Sequence, residues 1–221
     1  MDPAYRLTIN GSILTRANLL LWMREFFRTA NMSDGYVLEF GVLNGESLAE
    51  IWRCLRGPLS HLYGFDSFEG LPETDETRSS AKELMPMFHA GNYRSIGAEG
   101  VQTFLKGAGI PPQKLTLIPG FFDRSLPALS PTALVGDRTN CLMVHVDCDL
   151  YDSAVPVFKF ITPLVQTGTW LLLDDYWCFR GSPHFGVRKA FEEWLKTNGR
   201  WGATEYTSYN GFGKAFILHE L

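Results

Sequence analysis

Short apolar runs of about five residues alternate along this chain with longer segments whose apolar residues fall three and four apart, and few folds accommodate that order. A short apolar run reads as a buried strand, and spacing of three and four marks one face of a helix. Parallel strands require such crossover helices, so the fold class implied is α/β, a mostly parallel sheet with helices on both faces. The strands read as Tyr36 to Phe40, His61 to Phe65, Lys114 to Ile118, Cys141 to Val146 and Thr169 to Leu173. Tyr206 to Tyr209 and Phe212 to His219 flank Asn210-Gly211, a strong hairpin signal, so the sheet ends antiparallel.

Four helices fit between these runs. Thr15 caps one that carries Leu19, Leu20, Met23, Phe26 and Phe27 on a single stripe. A second buries Leu48, Ile51, Trp52 and Leu55 and stops at Gly57-Pro58. A third is expected to be capped by Asp152 or Ser153, to carry Pro156 in its first turn and to end at Gly168. The fourth runs from Gly186 to Asn198, with Val187, Phe191, Trp194 and Leu195 inward and Gly199 at its end. Residues from about 71 to 112 fit no single strand or helix and read as a lid-like insert, with Met85, Met87, Phe88, His89 and Tyr93 able to close over a ligand. The organisation expected is one domain over residues 1–221, opening with a helical segment over about 1–34.

Composition narrows the partners. A formal charge of -4 gives no basic field for a phosphate backbone, which argues against nucleic acid and for a small molecule. The apolar run Leu19 to Met23 is too short to span a bilayer or to act as a signal core, so no membrane partner and a cytoplasmic location are expected. Cys54, Cys141, Cys148 and Cys178 form no Cys-x-x-Cys pair and read as buried thiols. Whether the chain forms a homo-oligomer is not legible in the sequence.

Ligands of an open parallel sheet bind beyond the carboxyl ends of its strands. The first strand ends in Glu39-Phe40-Gly41-Val42-Leu43-Asn44-Gly45-Glu46-Ser47, where glycines permit close backbone approach and a helix N-terminus follows. The second ends at Asp66, twenty-one positions after Gly45, where a nucleotide-binding sheet sets a carboxylate against ribose hydroxyls. The fourth ends in His145-Val146-Asp147-Cys148-Asp149 and the fifth in Asp174-Asp175. Adjacent strands would gather these carboxylates, and several anions in one cleft call for protonation or a hard cation. An all-oxygen donor set favours Mg2+ over zinc.

With these residues placed, the chain resembles the macrocin O-methyltransferase family of class I S-adenosylmethionine-dependent methyltransferases. The resemblance rests on Glu-Phe-Gly-Val-x-x-Gly-x-Ser at 39–47, Gly-Phe-Asp-Ser-Phe-Glu-Gly-Leu-Pro at 64–72, Gly-Phe-Phe-x-x-Ser-Leu-Pro at 120–127, Asp-x-Asp-Leu-Tyr-x-Ser at 147–153, and Asp174-Asp175-Tyr176. It implies a Rossmann-like, seven-stranded sheet and an O-methyltransferase acting on a hydroxyl of a small natural product: a sugar moiety, a macrolide-like compound or a phenol. It assigns S-adenosylmethionine to Glu39, Gly41, Gly45, Ser47, Asp66, Ser67, Gly120, Phe121 and Asp147, and Mg2+ to Asp147, Asp174 and Asp175. Asp147 is then the expected proton acceptor. Asp149 reads as an outer partner of the metal ligands, although an exchange of roles with Asp147 stays open. His145 shares the side of Asp147 and reads as a satisfied buried histidine or a partner of the ligands. His89, Tyr93, Trp177, Arg180 and His184 are the residues that could face the acceptor.

Three other readings compete. Asp147-Cys148-Asp149 could serve a metal-dependent glycosyltransferase or a phosphatase, but the glycine turn and Asp66 would then have no task. A nicotinamide-dependent dehydrogenase is disfavoured because neither Tyr151 nor Tyr176 has a Lys four residues on. A non-catalytic binder would have to keep a costly acidic cluster without a cation.

Overall fold

The computed structural model describes residues 14–78 and 81–221. Residues 1–13 of the expected N-terminal segment, and positions 79 and 80 of the insert, lie outside the described residues. The elements run α1 (Arg16–Thr29), β1 (Gly35–Phe40), α2 (Glu46–Leu55), β2 (Leu59–Asp66), α3 (Asp75–Arg78), α4 (Ala81–Leu84), α5 (Ala98–Gly107), β3 (Leu115–Pro119), α6 (Phe122–Ser125), α7 (Pro131–Val135), β4 (Cys141–Val146), α8 (Tyr151–Ile161), β5 (Trp170–Leu173), α9 (Gly186–Thr197), β6 (Trp201–Tyr209) and β7 (Gly213–Glu220). The seven strands form one sheet in the order β3-β2-β1-β4-β5-β7-β6. β1 to β5 pair in parallel, and β7 enters antiparallel to β5 and β6. The hairpin forms where expected, with Asn210 and Gly211 both at positive φ, 51° and 89°, but Tyr209 pairs with Gly213, so Phe212 is a third residue of the turn rather than the start of the last strand.

Strand alternation divides the core into two layers. Leu38, Phe40, Val144, Val146, Leu171 and Leu173 pack against Val157, Phe158 and Ile161 of α8 and Phe191 and Trp194 of α9. Val37, Met143, Trp170 and Leu172 face the other way, onto Leu19, Leu20, Met23 and Phe27 of α1, Leu48 and Ile51 of α2, and Val101 and Leu105 of α5. Each such large side chain, fully buried, stabilises the fold by about 1.5–3 kcal/mol of transfer free energy. A third cluster joins Ala81 and Phe88 of the insert to Leu150, Cys178 and Phe179, which leave β4 and β5.

Several expectations change. The insert is not without regular structure: its last third is α5, which buries Val101 and Leu105 and makes the crossover from β2 to β3. α8 starts before its expected cap, with Leu150 at the N-cap position, so Asp152 and Ser153 lie within its first turn. Pro156 consequently falls in the second turn rather than the first. Gly168 does not end that helix. It closes at Ile161, whose carbonyl accepts from Leu164 and Val165, because Pro163 cannot continue it. Among the described residues no helix is long and apolar enough to cross a membrane.

Candidate active site

The parallel register sets Glu39 of β1 beside His145 of β4, and His145 beside Leu172 of β5, so the residues that follow these strands converge at one sheet edge. Each tip is tied to its neighbour: Asp147 N–H donates to the Phe40 carbonyl at 2.8 Å, and Asp174 N–H to the Val146 carbonyl at 3.0 Å. Gly41 takes φ 97°, and a Cβ there would lie 1.6 Å from the Asp147 carbonyl oxygen. Only glycine lets β1 and β4 meet this closely.

Asp66 closes the turn after β1. Its Oδ2 accepts from the N–H groups of Val42 and Leu43, both at 2.8 Å, and its Oδ1 accepts from Phe68 N–H at 2.6 Å. A carboxylate has about four lone-pair sites, so this one is fixed in place and can still accept from a ligand. Burial raises its pKa, and the three N–H groups offset only part of that.

Beneath the strand tips lies a charge network. His145 and Glu39 are fully buried and joined Nδ1 to Oε1 at 2.7 Å, and His145 Nε2 faces Asp174 Oδ1 at 3.5 Å. Arg16 lies 3.8 Å from the same Asp174 oxygen and holds Glu50 at 2.8 Å. Burial alone would lower the His145 pKa, but Asp174 and Glu39 push it up to about 10, so the ring is an imidazolium at neutral pH. Burial also acts on Asp174, yet His145, 3.5 Å away, and the charge of Arg16 hold its pKa down. Asp147, Asp149 and Asp175 are each pushed well up, first by burial and then by the charges of neighbouring carboxylates, Asp174 acting on all three.

Ligand atoms of His145, Asp147 and Asp174 lie within 4.8 Å of one another, and among the described residues this is the group with spacing suited to a metal ion. Asp175 lies outside that group: its Oδ2 accepts from Asp149 N–H at 3.1 Å, and its Oδ1 faces the Cys178 thiol at 3.6 Å. The residues fit a divalent cation. Asp174 Oδ1 is buried without a hydrogen-bond partner, and the crowded carboxyls are raised in a way that a bound cation would reverse. Asp147 and Asp174 supply oxygen donors, as a hard cation prefers.

A cavity of about 620 Å³ opens above this cluster. Of the residues expected to bind cofactor, Gly41, Asp66, Ser67, Phe121 and Asp147 line it. Glu39 does not; it lies under the floor, bonded to His145. Gly45 is the N-cap of α2 with φ 93°, Ser47 is buried in that helix, and Gly120 turns the chain after β3 with φ 132°. Met85, Met87, Phe88 and Tyr93 of the insert line the cavity from above, joined by Phe212 of the β6–β7 turn. Of the residues expected at the acceptor, only Tyr93 reaches this wall. His89, Arg180 and His184 are exposed, and Trp177 donates to Ser208 between Arg188 and Lys214.

Two residues of the network escaped sequence reasoning. Arg16 stands in the first turn of α1, where a cation opposes the helix dipole, and that misplaced charge was a readable sign of a partner elsewhere. Glu76 of α3 is buried and accepts the N–H of Tyr151 and that of Gly186, each at 2.7 Å. An acid inside an insert otherwise read as a lid gave no signal for that role.

The sequence profile of the macrocin-O-methyltransferase (TylF) family matches residues 23–199. A curated relative, the 8-demethyl-8-(2,3-dimethoxy-alpha-L-rhamnosyl)-tetracenomycin-C 4'-O-methyltransferase of Streptomyces olivaceus, is 24% identical over 145 residues, covering 64% of this chain and 53% of its own. The chain thus spans about half the length of the curated relatives it matches. Among solved structures, the O-methyltransferase NovP superposes with a TM-score of 0.67 at 19% identity, over 91% of this chain and 78% of its own. The calicheamicin methyltransferase CalS11 gives 0.67 at 22%, over 92% and 80%. At these identities the two structures attest the fold.

Proposed function

The chain belongs to the macrocin O-methyltransferase family, and from that premise we propose that it is an S-adenosylmethionine-dependent, Mg2+-dependent O-methyltransferase acting on a hydroxyl of a small natural product, with a sugar-bearing acceptor favoured. The observation that carries the reading is the juxtaposition of Asp147 and Asp174, with Asp147 reaching a cavity that Gly41, Asp66, Phe121 and Asp175 also line. Support for the sugar comes from the rhamnosyl group in the name of the Streptomyces olivaceus relative.

In this reading Asp66 accepts the ribose hydroxyls on its free lone pairs, Gly41 brings backbone close to the cofactor, and Phe121 offers an apolar face near the adenine. Asp147 and Asp174 would hold the cation, with Asp175 alongside. When bound, S-adenosylmethionine supplies the electrophilic methyl group and Mg2+ supplies Lewis acidity that lowers the pKa of the acceptor hydroxyl. Asp147, at the strand tip, receives the hydroxyl proton on a carboxylate oxygen. His145, held by Glu39, keeps Asp174 ionised and oriented. Met85, Phe88 and Tyr93 exclude water above the reacting atoms.

Titration calorimetry with S-adenosylhomocysteine, with and without Mg2+, tests this. Micromolar binding is expected in the wild type, and Asp174→Asn should retain it while losing the Mg2+ response. Absence of saturable binding under every metal condition, with a nucleotide sugar binding instead, would refute the assignment.

A further inference from the structure

The insert does more than cover the cavity. Glu76 sits in a single helical turn, α3, yet its two carboxylate oxygens each accept a short hydrogen bond from a different part of the chain: Oε2 from Tyr151 N–H and Oε1 from Gly186 N–H, both at 2.7 Å. Tyr151 opens α8, four residues after Asp147, and Gly186 opens α9, at the end of the segment that leaves β5 through Asp174 and Asp175. First-turn amides lack partners within their own helix and carry the positive end of its dipole, so one buried anion satisfies and charge-matches both helices. Neither helix has a side-chain cap of its own.

The two segments also touch below Glu76. A Cβ on Gly186 would lie 3.0 Å from the Asp149 carbonyl oxygen, and Asp149 N–H donates to Asp175 Oδ2. Asp149 holds φ 62°, a conformation an L side chain keeps only when its surroundings impose it. A separate apolar cluster repeats the connection, packing Ala81 and Phe88 of the insert on Leu150 after β4 and on Cys178 and Phe179 after β5.

We propose that Glu76 is a positioning residue for the acidic strand tips: a single carboxylate fastens the insert to the segments that follow β4 and β5 and so fixes Asp147, Asp149 and Asp175 relative to the cavity. The two N–H donors sit on different oxygens, Tyr151 N–H on Oε2 and Gly186 N–H on Oε1. Glutamine offers one oxygen and turns an NH2 toward the other donor, so Glu76→Gln keeps the side-chain shape and releases one of the two helices. Aspartate is shorter by one methylene and cannot span both amides. The hydrogen bonds of Glu76 run to Tyr151 and Gly186 and not to Gly41, Asp66 or Phe121, which should keep their ligand. The link to catalysis rests on the function proposed above, but the pin itself can be tested without it.

Hydrogen exchange of wild type and Glu76→Gln, paired with calorimetry of S-adenosylhomocysteine and of Mg2+ in its presence, makes the test. Amides of residues 147–151 and 184–188 should exchange at least tenfold faster while those of β1 and β4 hold. S-adenosylhomocysteine affinity should stay within twofold and Mg2+ affinity fall at least fivefold, a split that general destabilisation would not produce. Unchanged exchange in either segment overturns the proposal, and so does faster exchange with Mg2+ affinity intact. A wild type that binds no Mg2+ counts against the metal-dependent reading alone, and the exchange result then decides the pin. If Glu76→Gln fails to fold, Glu76→Asp is put through the same measurements with the same criteria.

Discussion

Glu39 and His145 are fully buried, 106 positions apart in sequence, and joined at 2.7 Å, which makes them the most demanding electrostatic element of the fold. Removing one member of a buried ion pair leaves the other charge without compensation, at about 3–5 kcal/mol, whereas replacing both by apolar groups of similar volume is often close to neutral. Glu39→Met and His145→Leu should therefore each destabilise by about 3–5 kcal/mol. In a chain of this size each kcal/mol moves Tm by about 2–4 °C, so each variant should melt roughly 6–20 °C lower. The double variant should return to within about 2 kcal/mol of wild type, although Asp174 then keeps only Arg16 as its close counter-charge. Reversible urea unfolding at pH 7 on all four proteins yields the coupling, expected at several kcal/mol in favour of the pair. Costs that add within about 0.5 kcal/mol would show two independent residues and refute the charged-pair argument.

Two further outcomes follow from other parts of the fold. Gly41→Ala combines positive-φ strain with a Cβ set against the Asp147 carbonyl, so a loss of about 2–6 kcal/mol is expected in denaturant midpoints; Gly57→Ala, with open space around it, should change stability by less than about 1 kcal/mol. His61 of β2 is held to a pKa of about 4 by burial and then by Arg138 and Lys114. A depressed pKa contributes stability that is complete above the unfolded value of about 6.5 and is lost as pH falls through 4. Between pH 7 and pH 4 the wild type should lose about 3 kcal/mol more than His61→Gln, and parallel pH profiles for the two proteins would contradict this.

Much of the candidate site was legible because the strand rule needs only local pattern. Once β1, β2, β4 and β5 are recognised, their following residues must share one sheet edge, and Gly41, Asp66, Asp147 and Asp174 come together without knowledge of any side-chain conformation. The rule says nothing of depth. Glu39 is the next-to-last residue of β1, in register with His145 and one pleat below Asp147, which buries it against His145 instead of exposing it to the cavity. Asp175 follows Asp174 directly, yet the chain turns there and aims it at Asp149 N–H.

The capping error has the same origin. Asp152 and Ser153 were reasonable caps for α8 on local grounds, but Glu76, 75 positions earlier, reaches Tyr151 N–H first. With that amide satisfied, the helix begins sooner and Pro156 is carried into its second turn. The strands, the apolar helix faces, the hairpin and the acids at the sheet edge can all be read locally, from apolar runs, spacings of three and four, the Asn-Gly pair and the residues that follow each strand. Which acids pair, which are pushed toward protonation and which hold other segments in place follows from the folded arrangement, because a carboxylate's role depends on the donors and charges that distant chain segments bring within about 4 Å.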